Sequence, residues 1–152
     1  MEERDYLYVL AGAPGLSPLL LHRLLSLYGS AGALFRQKKL PVSLGQQEAF
    51  ARARGEATRR LQERDKAEKQ GIGWVSFGEE GYPARLRRLG DAPLGLFVKG
   101  KLPSEETPSV GIVGARSCSP YGRAMSQRFG GELGEQGLAV ISGMARGIDT
   151  CA

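Results

Sequence analysis

Residues 109–117 read Ser-Val-Gly-Ile-Val-Gly-Ala-Arg-Ser, a short apolar run of β-formers that ends in a glycine turn. Such a run reads as a strand buried on both faces, the kind that parallel sheets use. Ser119 and Pro120 follow with the residue types of an N-cap and a first helical position. The spacing then predicts a helix over about 120–136, with Tyr121, Ala124, Met125, Phe129 and Leu133 on one face. Gly122, Gly130, Gly131 and Gly134 lie inside it, each costing roughly 1 kcal/mol relative to alanine. That cost is intelligible if the helix lies very close to the sheet. Gly137 ends the helix and 138–141 reads as the next strand. A βαβ unit of this kind brings its two strands together in parallel.

The second strand also opens into a glycine-rich loop, Ser142-Gly143-Met144-Ala145-Arg146-Gly147-Ile148-Asp149. Both loops belong at the carboxyl edge of the sheet, where open α/β folds bind ligands. A helix N-terminus there favours anions, and Arg116 adds a permanent charge on a planar fork suited to phosphate. Arg116, Ser142 and the loop amides therefore make a candidate phosphate pocket. A dinucleotide site would need G-x-G-x-x-G and a carboxylate at the end of the second strand. Here Gly111 and Gly114 are three apart, and the second strand ends Ile141-Ser142-Gly143. The Gly-Lys-Ser/Thr of a Walker loop is absent, and so is a Ser-His-Asp or Cys-His set. Arg116 paired with Asp149 is the structural alternative. Tyr121 is expected to pack and Arg146 to face solvent.

The chain before this core is of a different kind. Gly12-Ala13-Pro14-Gly15-Leu16-Ser17-Pro18 is a turn, with Ser17 as N-cap and Pro18 opening a helix that Gly29 closes. This arrangement resembles a helix-hairpin-helix or SAM-like unit. A short helix follows over 31–35, and Ser43 with Gln46 forms a capping-box pattern. One long helix is expected over 44–69, with Phe50, Ala53, Ala57 and Leu61 on its apolar stripe. Its arginines, Arg64 among them, are expected on a solvated face of i,i+4 ion pairs. Near Gln70 the hydrophobic period changes, and strands are expected over 72–77 and 94–98. These give a helical domain over 1–69 and a sheet domain over 70–152.

Net charge is +5, and the surplus lies in the first 70 residues, with 12 basic against 8 acidic side chains. That excess is compatible with a nucleic-acid partner and equally with solubility. Two cysteines, Cys118 and Cys151, sit outside any CxxC, which suggests no disulfide framework and makes a reducing cytosol the default. Leu19-Leu20-Leu21 is far too short to span a membrane. His22 has no metal-ligand spacing around it, so no metal site and no cofactor is expected.

Val113-Gly114-Ala115-Arg116-Ser117, then Tyr121-Gly122, then Ser142-Gly143-Met144-Ala145-Arg146-Gly147-Ile148-Asp149 resembles the DNA processing protein A family, DprA or Smf. Gly81-Tyr82-Pro83-Ala84-Arg85-Leu86, Asp91-Ala92-Pro93 and Leu96-Phe97-Val98-Lys99-Gly100 are similar to that family's approach to its core. The resemblance covers about residues 72–152 and is similar only in type before them. It implies an α/β protein, a helical SAM-like domain followed by the first part of a Rossmann-like parallel sheet with some four strands. It implies a cytoplasmic, non-enzymatic protein that binds single-stranded DNA, protects incoming strands in natural transformation and helps load the RecA recombinase. A homodimer is implied for the full-length family member. Carried over residue by residue, the DNA-binding set is Gly114, Arg116, Ser117, Ser142, Gly143, Ala145, Gly147 and Asp149. The family motif continues Gly-Ile-Asp-x-x-Ala-His, whereas this chain stops at Ala152, so a truncated product is expected. The alternative is a nucleotide-binding or nucleotide-hydrolysing α/β enzyme whose catalytic residues lie beyond residue 152.

Overall fold

The structure, a computed structural model, describes residues 1–152 and divides into two compact units, Met1–Leu102 and Pro103–Ala152. The first unit holds helices α1 (Glu3–Ala11), α2 (Pro18–Tyr28), α3 (Ala31–Arg36), α4 (Leu44–Gly55) and α5 (Ala57–Lys69). Strand β1 (Ile72–Ser76), the turn of helix α6 (Ala84–Arg87) and strand β2 (Gly95–Lys99) complete it.

Short-range signals set the helix ends. The Ser17 hydroxyl accepts from the Leu20 amide at 3.3 Å, and Gly29 closes α2 with φ +80°. Ser43 and Gln46 cap α4 reciprocally at 3.4 and 3.0 Å. The start of α3 is held from a distance: the Glu3 carboxylate accepts from the amides of Ala31 and Gly32. A carboxylate against the positive end of a helix is favourable. The core these helices enclose is apolar, with Val9, Leu10, Ala31, Leu34 and Phe50 fully buried. Phe50, Ala53 and Ala57 do form the buried stripe.

Three expectations are corrected here. The helix expected over 44–69 is two helices, because the poor helix former Gly55 sits at the junction and Glu56 ends one helix and starts the next. The change of period near Gln70 falls inside the first unit, since β1 packs on α5 and α1. The compact units therefore do not divide at 69/70. Four strands of one larger sheet are not present either: β1 and β2 pair antiparallel with each other, Trp74 opposite Phe97, as a separate two-stranded sheet.

The second unit contains β3 (Ser109–Gly111), α7 (Pro120–Glu135), β4 (Ala139–Ile141) and α8 (Ile148–Cys151). β3 and β4 pair in parallel, Ser109 with Ala139 and Gly111 with Ile141, so the βαβ unit forms as expected. The face that α7 buries is another correction. Tyr121 is 74% exposed and Phe129 50%, while Ser126 and Gly130 are buried. The Ser126 hydroxyl donates to the Ile148 carbonyl at 2.9 Å. A Cβ on Gly130 would strike the backbone of Ala152, and one on Gly122 would come within 3.3 Å of Ile148. Small residues four apart thus let the segment 148–152 lie against α7, and close approach to that segment explains two of the four glycines. Nothing within 4 Å of Gly131 or Gly134 explains the other two.

Trypsin is expected to cut first at Lys101, which is exposed in the irregular segment that ends the first unit. Lys66 and Lys69 lie on α5, whose backbone is protected by helix hydrogen bonds. Mass spectrometry of an early digest checks this; first cleavage at Lys66 or Lys69 would restore the boundary expected at 69/70.

Candidate nucleic-acid interface

The two glycine loops leave the carboxyl ends of β3 and β4 side by side because those strands are parallel neighbours. The ladder runs one residue past the strands, with the Ile112 amide donating to the Ile141 carbonyl at 3.0 Å. Beyond it the loops are laced by side chains. The Asp149 carboxylate accepts from the Gly114 amide at 3.1 Å. The Ser142 hydroxyl lies 2.9 Å from the Ile112 carbonyl and 3.1 Å from that of Asp149. The Ile148 amide donates to Ala115 at 3.2 Å, and the Thr150 amide to Ala145 at 3.1 Å.

Three glycines are required by this lacing. Gly147 is buried with φ +104°, a conformation that L side chains rarely adopt. A Cβ there would come within 2.7 Å of the Arg116 carbonyl oxygen and closer still to that of Ala115. A Cβ on Gly114 would come within 2.7 Å of Ile148, and one on Gly143 within 2.9 Å of an Asp149 carboxylate oxygen.

The expected site residues therefore separate into two groups. Gly114, Ser142, Gly143, Gly147 and Asp149 hold the loops to each other, and Asp149 is only 9% exposed. Ala145 belongs with them, as its carbonyl receives Thr150. Arg116 and Ser117 are exposed on the first loop, and Arg146 is exposed on the second. Arg116 makes no ion pair. The alternative in which Arg116 pairs with Asp149 is thus overturned: that carboxylate is occupied by a backbone amide, which needs no cation. A free guanidinium beside rigid loops is chemically suited to a phosphate.

The start of α7 contributes less than its sequence suggests. Pro120 has no N–H, the Gly122 amide is taken by the Ser119 hydroxyl at 3.1 Å, and Arg123 donates to the Ser119 carbonyl. Tyr121 offers the one unsatisfied amide of the first turn, and its ring stands in solvent. Sequence reasoning assigned Tyr121 to packing; the signal for exposure was the small-residue row Gly122, Ser126, Gly130, which fixes the buried face a quarter-turn away.

In the first unit, Arg60 and Arg64 are only 14% and 13% exposed. His22 is structural, its Nε2 lying 2.7 Å from the Ala92 carbonyl and its ring edge-on to Phe77. No helix is long and apolar enough to cross a membrane.

Comparisons with known proteins converge on one family. The family profile described as DNA recombination-mediator protein A matches residues 73–152. DNA processing protein DprA of Streptococcus pneumoniae is 40% identical over 77 residues, covering 51% of this chain and 27% of that protein. Protein Smf of Synechocystis is 25% identical over 161 residues, covering 99% of this chain and 40% of its own length. The X-ray structure of DprA from Streptococcus pneumoniae superposes with a TM-score of 0.57 at 28% identity, covering 97% of this chain and 52% of that one. The chain thus spans about half of that structure and less than half of these two relatives' full length.

Proposed function

Given that this chain belongs to the DNA recombination-mediator protein A family, we propose that its second unit binds the backbone of single-stranded DNA. Arg116 carries the reading: it is exposed and unpaired, on a loop fastened at the carboxyl edge of two parallel strands. The Tyr121 amide and the Arg146 side chain add a donor and a charge. The exposed Tyr121 ring supplies the sequence-tolerant stacking surface that strand binders use. Gly114, Ser142, Gly143, Gly147 and Asp149 act through geometry: they hold the loops and do not themselves touch the strand. Ser117 and the Ala145 segment border the contact. No step of bond cleavage is assigned to these groups, and the reading is of a binding protein in the cytoplasm. The family resemblance extends it to protection of the strand, handover to the RecA recombinase and dimer formation in the full-length relatives.

Binding of labelled oligo-dT followed by anisotropy tests this. Affinity is expected to vary little with base sequence and to fall with salt, the logarithmic slope being roughly 0.7 per phosphate neutralised. Arg116→Ala is expected to weaken binding about tenfold or more, since a charge-assisted contact is worth about 1.5–3 kcal/mol. Arg116→Lys recovers part of it, keeping the charge without the fork. Lys66→Ala on the exposed face of α5 is the control. Arg116→Ala binding like the unmodified chain, with an unchanged melt, would sink the phosphate role. Saturable turnover of a mononucleotide without oligo-dT binding would favour the enzyme reading.

A further inference from the structure

The basic surplus of the first 70 residues is confined to a few positions. No acidic residue stands between Asp5 and Glu48. Residues 1–5 and 48–70 together carry eight basic side chains against eight acidic ones. The whole surplus of four is therefore Arg23, Arg36, Lys38 and Lys39. Three of these fall in one short stretch, where the chain leaves α3.

The fold fixes that stretch and leaves its cations outward. From α4, Arg54 Nη1 donates to the Phe35 carbonyl at 3.4 Å and to the Gln37 carbonyl at 2.9 Å. The Gln47 side-chain amide donates to the Val42 carbonyl at 3.4 Å, and Leu40 is buried between these ties. Arg36, Lys38 and Lys39 are all exposed. None of them makes an ion pair, and neither does Arg54 beneath them. The carboxylate that serves α3, that of Glu3, is taken up at the other end of the helix by the Ala31 and Gly32 amides. The exposed lysines of α5 differ. Lys66 follows Glu63 by three residues and Lys69 follows Asp65 by four, so each has a carboxylate on its own helix face.

Like charges held together without counter-charges create a positive potential that attracts anions. The stretch presents separate point charges and no pocket, which suits a ligand whose own charges repeat along a chain. An anionic membrane fits it less well. An interfacial helix inserts an apolar face, whereas α3 turns Ala31, Gly32 and Leu34 into the core. We propose that Arg36, Lys38 and Lys39 are a second contact for the phosphate backbone of single-stranded DNA, carried by the first unit. This deepens the strand-binding reading and rests on it, but it uses no residue of the Arg116 loops. Such a contact adds affinity and salt dependence without reading bases.

Anisotropy of labelled oligo-dT with the full chain, at several salt concentrations, tests it. Lys38→Gln/Lys39→Gln is expected to lower the logarithmic salt slope by about 1.4, roughly 0.7 for each phosphate no longer neutralised. At 0.1 M salt that is about a twentyfold loss of affinity, closing as salt approaches 1 M. Lys38→Arg/Lys39→Arg keeps both charges and should keep slope and affinity. Lys66→Gln/Lys69→Gln removes the same net charge from α5 and should leave the slope unchanged. All these side chains are exposed, and unchanged thermal melts confirm that each variant is folded. The proposal is overturned if Lys38→Gln/Lys39→Gln leaves the slope as it was, or if Lys66→Gln/Lys69→Gln lowers it equally, which would make the effect one of total charge. It is overturned too if the unmodified chain does not bind oligo-dT. Loss of binding only to vesicles of phosphatidylserine and phosphatidylcholine would assign the stretch to a membrane surface instead. Arg116→Ala separates the two contacts. If it binds like the unmodified chain while Lys38→Gln/Lys39→Gln is weakened, the Arg116 site fails and this one stands; the reverse result leaves Arg116 alone.

Discussion

Gly147→Ala is expected to cost the second unit about 3 kcal/mol or more and to open the paired loops. Two penalties add. The residue holds φ +104°, where a Cβ is strained, and such backbone strain costs on the order of 1–3 kcal/mol. The new methyl would also overlap the carbonyl oxygens of Ala115 and Arg116. Overpacking against side chains costs roughly 1–3 kcal/mol, and here the neighbours are backbone atoms with little freedom to retreat. Relief requires the two loops to part, which gives up the Ile148–Ala115 bond and the seat of Arg116. Hydrogen exchange is the measurement: the Gly114, Ile148 and Thr150 amides, which the lacing holds, should lose protection. Trp74 emission, which reports the first unit, should melt as before. Oligo-dT affinity should fall with the lost protection. Unchanged protection at the Gly114 amide would mean that the loops accommodate a side chain and that the lacing is not rigid.

Arg64→Ala is expected to destabilise the first unit by about 2 kcal/mol, a shift of roughly 10 °C in the midpoint of melting for a unit of this size. Arg64 reaches 59 residues back to Asp5, Nη1 to Oδ1 at 2.6 Å, and its guanidinium lies over the Tyr8 ring at 5.6 Å. Asp5 in turn caps α1, accepting from the Glu2 amide at 2.7 Å. Truncating Arg64 leaves a carboxylate that is 16% exposed without its cation. Burial by itself would raise the Asp5 pKa; the Arg64 hydrogen bond, the Glu2 amide and the arginine's charge outweigh it, so the carboxyl titrates below its ordinary 3.8. A carboxylate held low in the folded state stabilises above the unfolded pKa and loses that contribution as pH falls through the folded one. The melts of unmodified and Arg64→Ala chains should therefore differ fully at neutral pH and converge as pH drops below 3.8. A constant gap down to low pH would assign the effect to packing on Tyr8 and not to the ion pair. Arg64 belongs to the frame of the first unit, so the solvated-face expectation holds for Arg59 and fails for Arg64.

The features legible in the sequence were those decided within a few residues. Ser17, Ser43 and Ser119 cap helices because a hydroxyl needs only the amide three positions on. The parallel pairing of β3 and β4 followed from the length and chirality of the crossover between them. What stayed hidden depends on distant partners. β1 reads as one more strand of the sheet, since its pattern does not reveal that it pairs only with β2. Hydrophobic periodicity chose the wrong face of α7, because closeness to residues 148–152 selects for small residues over apolar ones. At the site, the loop residues could be named from their glycine pattern, but their division of labour could not. Asp149 as a strut and Arg116 as the free group required seeing which atom faces the Gly114 amide.

The two loops are tied to each other by bonds of their own, the Gly114 amide to Asp149, the Ser142 hydroxyl to Ile112 and the Ile148 amide to Ala115. A strand arriving at Arg116 would meet a surface with almost no ordering left to do. The conformational entropy of the loops has been spent in folding; binding loses chiefly the strand's own freedom, while the counterions it releases favour the complex. Association should then be a matter of encounter: an on-rate set by diffusion and electrostatic steering, dropping as salt screens the arginines, with no slow step that saturates at high strand concentration.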